Sequence, residues 1–166
     1  VARYDPKKDH SNLLRALSLI KSKNINFLCV LVGSRIDNNN VELISEIKKF
    51  RLSNHIKLLG QNSNISEVMN GLDIYVQCSS YGEGFPNVVA ESMACGTPCI
   101  VTDVGDASDI VGKTGWTVPP NKSIKLAKTI NIALNEIKKK NWSKRCNQAR
   151  SRIKKNFYLK KMLESY

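Results

Sequence analysis

Two glutamates close to a glycine-bearing turn are the first candidates for a catalytic or ligand-binding site. Glu83 lies in the turn and Glu91 in the helix predicted to follow it, with seven residues between them. Pro86 suits the first turn of that helix, because the N–H that proline lacks would have no helical acceptor there. The backbone N–H groups of Asn87 and Val88 would then face the turn, where the helix dipole favours negative charge. The sequence therefore predicts a site for an anionic ligand such as a phosphate.

Glu91 is predicted to lie on a buried helix, because its neighbours from Val88 to Cys95 are mostly apolar or small. A buried carboxylate must accept hydrogen bonds or lose the favourable energy of hydration. Two vicinal hydroxyls of a ribose would supply two donors. A nearby backbone N–H or a lysine would satisfy the same carboxylate, so the residues alone leave both interpretations open.

The strands and helices predicted around these glutamates alternate along the chain. Strands are predicted within residues 1–3, 26–33, 55–60, 72–78 and 98–105, with a short strand or a turn at 115–120. Helices are predicted within 11–20, 41–50, 65–71, 86–96 and 106–111, with Asp9 or Ser11 as the cap of the first and Asn64 as the cap of the third. Residues after 121 are predicted to be helical, with a break near 141. Alternation of this kind predicts an α/β fold with a doubly wound parallel sheet. Ligands of such sheets bind outside the carboxyl ends of the strands.

The net charge of +12 is concentrated at the carboxyl-terminal end of the chain. Residues 1–121 hold 12 Lys and Arg against 12 Asp and Glu, whereas residues 122–166 hold 14 against 2. We interpret residues 122–166 as a basic helical tail. The tail either contacts an anionic partner or is the solvated face of lysine-rich helices.

Composition excludes several classes of protein. With 42% hydrophobic and 24% charged residues, the 166-residue chain is typical of one globular domain and not of a disordered or collagen-like protein. No apolar run approaches the roughly 20 residues of a membrane-spanning helix. The five cysteines lie mostly in apolar segments, which indicates buried thiols in a reducing compartment. His10 and His55 are too few and too far apart in the sequence to predict a metal site.

The segment EGFPNVVAESMACGTPCIVTDVGDASDIV resembles the signature of the retaining glycosyltransferases of family 4. The family motif is Glu, seven residues, Glu, then Ala-Met-Ala-x-Gly-x-Pro-Val, and this chain has SMACGTPC at the corresponding positions, 92–99. Four further blocks, VARYDPKKDHSNLLRAL, HIKLLG, LDIYVQCSS and GKTGWTVPP, are similar to family blocks in order and spacing. The resemblance extends from residue 1 to about residue 133.

The resemblance implies roles for particular residues. Arg3 and Lys8 would clamp the diphosphate of a nucleotide-sugar donor and stabilise charge on the leaving diphosphate. Glu83 would hydrogen-bond the transferred sugar, and we group it with Arg3 and Lys8 as catalytic. Glu91 would bind the ribose hydroxyls. Backbone groups that would hold the sugar, the phosphates and the base are expected at Gly84, Phe85, Asn87, Val88, Gly60 and Gln61.

The resemblance also implies the domain organisation and the reaction. Residues 1–166 would form the single, Rossmann-like, nucleotide-sugar-binding domain of a two-domain B-type enzyme, without its amino-terminal acceptor domain. The enzyme would move a hexose-type sugar from a nucleotide diphosphate sugar, with UDP favoured over GDP, to a glycan or lipid-linked acceptor. Retention of anomeric configuration, no metal or other cofactor, and a part in surface polysaccharide synthesis are expected. The isolated chain is expected to bind the nucleotide sugar weakly and to catalyse no sugar transfer.

A cytoplasmic location is expected, with peripheral contact to the inner face of the membrane through residues 122–161. We weigh two other functions. A nucleic-acid-binding module would use the basic tail, but the chain lacks the aromatic-rich and zinc-binding motifs of such proteins, so no nucleic acid partner is predicted. A related B-type enzyme, such as a sugar-nucleotide epimerase or a phosphorylase, would fit the early Arg and Lys and the glutamate pair less well.

The chain departs from the family pattern at three positions. Ala2 and Asp9 replace glycines, and a side chain is harmless there only where the backbone conformation allows it. Pro86 stands where a glycine is common and cannot donate an N–H. These departures concern details of ligand contact and leave the predicted fold unchanged.

Overall fold

Strands and helices alternate in the computed structural model, which describes residues 1–157. The strands are β1 (Cys29–Leu31), β2 (Ile56–Leu58), β3 (Tyr75–Gln77), β4 (Cys99–Thr102) and β5 (Trp116–Val118). The helices are α1 (His10–Lys21), α2 (Val41–Lys49), α3 (Ile65–Asn70), α4 (Asn87–Ala94), α5 (Ala107–Val111), α6 (Ser123–Ile137) and α7 (Trp142–Asn156). Short 3-10 turns cover Pro6–Lys8 and Gly112–Thr114.

All strand pairs in the described residues are parallel. β1 pairs with β2, and β3, β4 and β5 form a second sheet in that order. Tyr75 of β3 lies opposite Cys99 of β4, and Ile100 of β4 lies opposite Trp116 of β5. The predicted α/β architecture with parallel strands is confirmed.

β4 shows how the sheet is covered on both faces. Its four residues are all buried. Successive side chains of a strand point to opposite faces, so Cys99 and Val101 join a core with Met93 of α4, whereas Ile100 joins a separate core with Leu14 of α1. Helices α1, α2 and α6 contribute to the first core, and α4, α5 and α7 to the second. This double covering is the doubly wound arrangement that the sequence predicts.

The amino-terminal segment contacts both sheets without forming a strand of its own. The Ala2 N–H donates to the Val32 carbonyl at 2.8 Å, and the Tyr75 hydroxyl of β3 donates to the Val1 carbonyl at 3.2 Å. Residues 1–3 were expected to be the end of a strand, and that expectation is wrong as stated. The segment nevertheless occupies the position between β1 and β3 where a strand end would lie.

A cleft of about 370 Å³ opens beside this segment, between β1 and β3. Residues 26–33 were expected to form one strand buried on both faces, but β1 contains only Cys29–Leu31 and the side chain of Leu28 is 63% exposed. The open cleft is the reason, because within residues 1–157 no strand pairs with this part of the chain on that side. The edges of β1 and β3 both line the cleft.

The helices begin and end within a few residues of the predicted positions, but the caps of α3 and α4 differ from the prediction. Asp9 caps α1, because its carboxylate accepts from the Asn12 N–H at 3.2 Å. Asn64 precedes α3 but makes no capping hydrogen bond, contrary to the prediction. Pro86 is the N-cap of α4 and not its first-turn residue, because its backbone is extended (φ −77, ψ 92). The predicted break near 141 separates α6 from α7, and residues 158–166 of the basic tail lie outside the described residues.

Candidate functional site

Lys8 and Glu83 meet where two loops come together at the carboxyl ends of the strands. The Lys8 Nζ donates a hydrogen bond to Oε1 of Glu83 within an ion pair. The side chain of Lys8 is 18% exposed and that of Glu83 is 9% exposed, so the pair is largely shielded from water. The structure thus joins two of the three residues predicted to be catalytic.

The turn that carries Lys8 is fixed at both ends. The Asp5 carboxylate accepts from the Lys7 N–H at 3.0 Å, and the Asp9 N–H donates to the Pro6 carbonyl at 3.1 Å. Asp9 itself has a positive φ of 47, a conformation that aspartate tolerates better than most residues. Because Asp9 also caps α1, aspartate serves at this position where the family pattern has glycine.

The same turn is attached to the end of β3. The Ser80 N–H donates to the Lys7 carbonyl at 2.8 Å, and the Cys78 thiol donates to the Lys8 carbonyl at 3.1 Å. Backbone atoms therefore hold Lys8 beside the loop that contains Glu83, and the ion pair does not depend on long flexible side chains alone.

Ser79 is a site residue that the sequence reasoning did not single out. Its hydroxyl donates to Glu83 Oε1 at 2.7 Å, and its carbonyl accepts from the Thr102 hydroxyl at 2.6 Å. Its position directly after the β3 segment, in the block LDIYVQCSS, was the available signal. Ser79 and Lys8 together occupy Oε1, and Oε2 of Glu83 accepts no hydrogen bond from residues 1–157.

Two opposing effects act on the pKa of Glu83. Burial raises the pKa of the carboxyl, but the hydrogen bonds from Lys8 and Ser79 and the charge of Lys8 outweigh burial. The pKa of Glu83 is therefore lowered from its usual value, and the carboxylate is ionised at neutral pH. An ionised carboxylate with one free oxygen is a hydrogen-bond acceptor for a ligand hydroxyl.

The loop after β4 supports the Glu83 turn from behind. A Cβ at Gly105 would lie 2.4 Å from the Glu83 carbonyl oxygen and 2.5 Å from that of Gly84. Gly105 also has a positive φ of 57, which favours glycine. The Asp106 N–H donates to the Gly84 carbonyl at 3.1 Å. Gly105 and Asp106 are thus positioning residues that the sequence reasoning missed.

The start of α4 follows the Glu83 turn directly and offers unused donors. In the described part of the chain, the N–H groups of Phe85, Asn87 and Val88 donate to no protein acceptor, whereas the Val89 N–H donates to the Pro86 carbonyl. The positive end of the helix dipole adds to these donors. Gly84 is exposed, and Phe85 packs against the second core. The start of α4 therefore has the free N–H donors that an anion-binding site requires, although Pro86 sits one position earlier than predicted.

Glu91 lies on an exposed face of α4, so the expectation of a buried helix is wrong. Only Val89, Ser92 and Met93 of α4 are buried, because the helix packs against α5 and α7 on one side and faces solvent on the other. An exposed carboxylate needs no protein partner, and none is found among the described residues. The Glu91 carboxylate is therefore accessible to a ligand because the side chain faces solvent.

Arg3, Gly60 and Gln61 lie apart from the ion pair. The guanidinium of Arg3 is paired with Asp5 at 3.1 Å, and its side chain is 60% exposed. The Gly60 carbonyl accepts from the Gly33 N–H at 2.8 Å, and its own N–H donates to the Ile36 carbonyl. No hydrogen bond or ion pair in residues 1–157 joins Gly60 or Gln61 to the Lys8–Glu83 pair.

Gly33 nevertheless links these two regions through the backbone. A Cβ at Gly33 would lie 2.2 Å from the Ala2 carbonyl oxygen, so glycine is required for this close approach. Ala2 itself is not among the residues with a positive φ, and its extra methyl is therefore compatible with the backbone there. Gly60, Gly33 and Ala2 thus form a continuous backbone contact beside Arg3.

Two features of other protein classes are absent from residues 1–157. No three His, Cys, Asp or Glu side chains are grouped closely enough to hold a metal ion. No helix within this range is both long and apolar enough to cross a membrane.

Comparison with known proteins identifies the family of this chain. The profile described as Glycosyl transferases group 1 matches residues 1–153. The chain belongs to this family. Over its whole length it is 28% identical to the N,N'-diacetylbacillosaminyl-diphospho-undecaprenol alpha-1,3-N-acetylgalactosaminyltransferase of Campylobacter jejuni, of which it covers 43%.

Solved structures of similar proteins have the same fold. A glycosyltransferase from Rickettsia africae is 28% identical, with a TM-score of 0.89 over 99% of this chain and 44% of its own. HepE of Anabaena, solved in complex with UDP-glucose, is 25% identical, with a TM-score of 0.76 over 99% of this chain and 47% of its own. The chain thus spans less than half the length of each of these proteins.

Proposed function

We propose that this chain is the donor-binding domain of a retaining glycosyltransferase of family 4. The enzyme moves a hexose-type sugar from a nucleotide diphosphate sugar to an acceptor hydroxyl. The observation that carries the proposal is the ionised, shielded Lys8–Glu83 pair beside the unused N–H groups at the start of α4. Cationic and N–H donors suit a diphosphate, and the carboxylate suits the sugar hydroxyls next to it.

Lys8 can contact the diphosphate without leaving Glu83. A lysine ammonium has three N–H donors, and only one is needed for Glu83 Oε1. The remaining two donors are available to phosphate oxygens. As the bond between the anomeric carbon and the diphosphate breaks, negative charge grows on the leaving oxygen, and a fixed ammonium stabilises it.

Arg3 is suited to a more mobile role in the same clamp. Its ion pair with Asp5 is exposed to solvent, which screens the attraction, so the pair adds little to stability. A diphosphate carries more charge than one carboxylate and accepts two parallel N–H donors from a guanidinium. Arg3 therefore leaves Asp5 and binds the donor diphosphate with little loss of stability.

The two glutamates divide the hydroxyls of the donor between them. Glu83 has Oε1 occupied and Oε2 free, so Oε2 accepts from a hydroxyl of the transferred sugar. Glu91, exposed on α4, accepts from the ribose hydroxyls. The N–H groups of Phe85, Asn87 and Val88 lie between the two and hold phosphate or sugar oxygens, with Gly84 allowing close approach of the ligand.

The base is assigned to the loop after β2. Both backbone groups of Gly60 already bond to the loop after β1. Backbone contact to the base therefore falls mainly on Gln61, which is exposed. HepE was solved with UDP-glucose, and on that likeness we favour a UDP-sugar over a GDP-sugar as donor. No metal or other cofactor has a role in this proposal.

The acceptor is proposed to be a glycan or a lipid-linked sugar in surface polysaccharide synthesis. Support comes from the Campylobacter relative, whose name specifies a diphospho-undecaprenol acceptor. An enzyme that uses cytoplasmic nucleotide sugars and a lipid-linked acceptor works at the inner face of the membrane. We therefore propose a cytoplasmic location with peripheral membrane contact.

The whole enzyme is proposed to have a second, amino-terminal domain that supplies the acceptor site. The chain covers less than half of the three similar proteins, and residues 1–166 account for one nucleotide-sugar-binding domain, with a basic helical tail from 122. Without the second domain, we expect weak donor binding and no turnover.

Titration calorimetry of the chain with UDP, GDP and ADP tests the proposal. We expect UDP to bind most tightly, and Lys8→Gln to weaken binding of every diphosphate. Absence of binding by all three nucleotides would overturn the assignment. For the full-length enzyme, NMR of the product from a UDP-sugar should show the anomeric configuration of the donor, and an inverted product would remove the retaining mechanism.

A further inference from the structure

We infer that the outward side of α6 is a contact surface for an anionic membrane. This surface, called here the α6 outer face, consists of Ile124, Lys125, Lys128 and Ile132. Three exposed lysines, residues 138–140, extend it in the turn after the helix. The inference deepens the peripheral membrane contact proposed above by naming the surface that makes it, and the vesicle experiment below tests that surface without using the transfer reaction.

The geometry of α6 separates this face from the protein core. Ile124, Lys128 and Ile132 are spaced four residues apart, so they follow one row along the helix, with Lys125 beside them. The row is about 12 Å long at 1.5 Å per residue. The buried side chains of α6, which are on the opposite side and face the first core, are Leu126, Ala127, Ile130 and Ala133.

Two isoleucines on this face are unusually accessible. Ile124 is 63% exposed and Ile132 is 50% exposed, and Lys128 lies between them. A single exposed apolar side chain is ordinary. Two of them alternating with lysines suit the boundary between lipid headgroups and acyl chains, where isoleucine enters the apolar layer and lysine reaches the phosphates.

Positive charge predominates on this face. No Asp or Glu occurs from residue 110 to residue 135. Glu136, the acidic residue of α6, continues the row four residues after Ile132, but its carboxylate pairs with Arg145 of α7 at 2.8 Å. The α6 outer face and the following turn therefore present five lysines against one carboxylate whose charge is already matched, which complements an anionic surface.

Comparison with α7 shows why lipid fits better than nucleic acid. α7 is also strongly basic, with Arg150, Lys154 and Lys155 exposed, but within residues 142–157 it exposes no large apolar side chain. Phosphates of a nucleic acid would need only the lysines and would gain nothing from exposed isoleucines. The combination found on α6 is specific to a partner that has both phosphates and an apolar layer.

Sedimentation with vesicles tests this inference. Vesicles of phosphatidylcholine mixed with phosphatidylglycerol should bind the protein, and vesicles of phosphatidylcholine alone should not. The double change Lys125→Gln and Lys128→Gln should lower the partition coefficient about 30-fold. The double change Ile124→Ser and Ile132→Ser should lower it about tenfold at unchanged charge.

The matched control is Lys154→Gln with Lys155→Gln, which removes the same charge from α7. It should lower partition by no more than about threefold, because these lysines lie outside the contact. All six positions are exposed, so thermal unfolding should be unchanged in every variant.

Three outcomes would overturn the inference. The first is equal recovery with neutral and anionic vesicles. The second is a loss in the α7 control as large as that in the α6 lysine variant, which would indicate diffuse attraction without a defined face. The third is salt-dependent binding to a DNA duplex together with isoleucine variants that partition as the parent does, which would indicate a nucleic-acid surface.

Discussion

Lys8 and Glu83 are 75 positions apart in the chain, and their side chains form an ion pair that joins the turn before α1 to the turn before α4. Neither side chain is more than 18% exposed. Removal of one partner therefore leaves the other charge poorly hydrated. The pair is both a structural link and the proposed centre of donor binding, and experiments can separate the two roles.

Lys8→Gln in the full-length enzyme should lower the transfer rate on the order of 100-fold, and by more than it raises the donor KM. The reason is that the ammonium acts on charge that grows as the diphosphate leaves. Steady-state kinetics measure both values. The exposed Lys23→Gln is the control and should leave them unchanged.

A combined Lys8→Gln and Glu83→Gln variant separates stability from activity. Lys8→Gln alone should reduce the free energy of unfolding by about 1–3 kcal/mol, because Glu83 keeps its charge without its partner. The combined variant should regain much of that stability and none of the rate. A parental rate in Lys8→Gln would show that this lysine does not contact the diphosphate.

Glu91→Gln should weaken donor binding about tenfold or more, because a hydrogen bond to a charged group contributes about 1.5–3 kcal/mol. Its exposure on α4 predicts an unchanged free energy of unfolding. Calorimetry with UDP measures the first quantity and denaturant unfolding the second. Glu67→Gln, exposed on α3, should change neither, and equal affinities in all three proteins would exclude the ribose contact.

Gly105→Ala should destabilise the protein by about 1–3 kcal/mol and displace the Glu83 turn. The new methyl would lie 2.4 Å from a carbonyl oxygen, and the backbone has a positive φ. Gly71→Ala is the control, because its Cβ would have ordinary contacts of 3.5 Å or more. Urea unfolding compares the two variants, and similar small effects would contradict the close approach at Gly105.

His10 should make the fold sensitive to mild acid. Its side chain is 7% exposed, and burial, together with nearby positive charge that includes Lys8, lowers the pKa from 6.5 to about 4. The unfolded chain therefore takes up a proton first, so stability is complete above pH 6.5 and falls by about 3 kcal/mol as the pH approaches 4.

His10→Phe provides the test of this pH dependence. Phenylalanine keeps an aromatic ring against Tyr4, whose centroid lies 5.3 Å from the His10 ring, and removes the titrating group. The free energy of unfolding should then vary much less between pH 6.5 and 4. A pH profile identical to that of the parent would locate the acid sensitivity elsewhere, for example at carboxylates such as Glu83.

Much of the fold could be predicted from the sequence, because hydrophobic periodicity and turn residues act locally. The order of strands and helices, the break between α6 and α7 and the N-cap Asp9 all follow from neighbouring residues. The burial of α4 could not be predicted in the same way. Its apolar composition suggested a helix enclosed on all sides, but α5 and α7 cover only one side and leave Glu91 in solvent.

The candidate site was predicted in its residue types and only partly in its contacts. The glutamate spacing and the early arginine and lysine are visible in the sequence. Ser79 and Gly105 are not, because their importance lies in distances to Glu83 across loops from different strands. The pairing of Arg3 with Asp5 was also not predicted, and the role of Arg3 beside Lys8 stays a prediction.

The family, the alternation of elements and the concentration of positive charge after residue 121 can be identified from the amino-acid sequence, because they are properties of residue order and local preference. The contact of Lys8 with Glu83, the close approach of Gly105 to the same turn and the outward position of two isoleucines of α6 are known only from the folded structure. Such relationships depend on how helices and loops pack around the parallel sheet, and that packing is set by long-range contacts that no local pattern records.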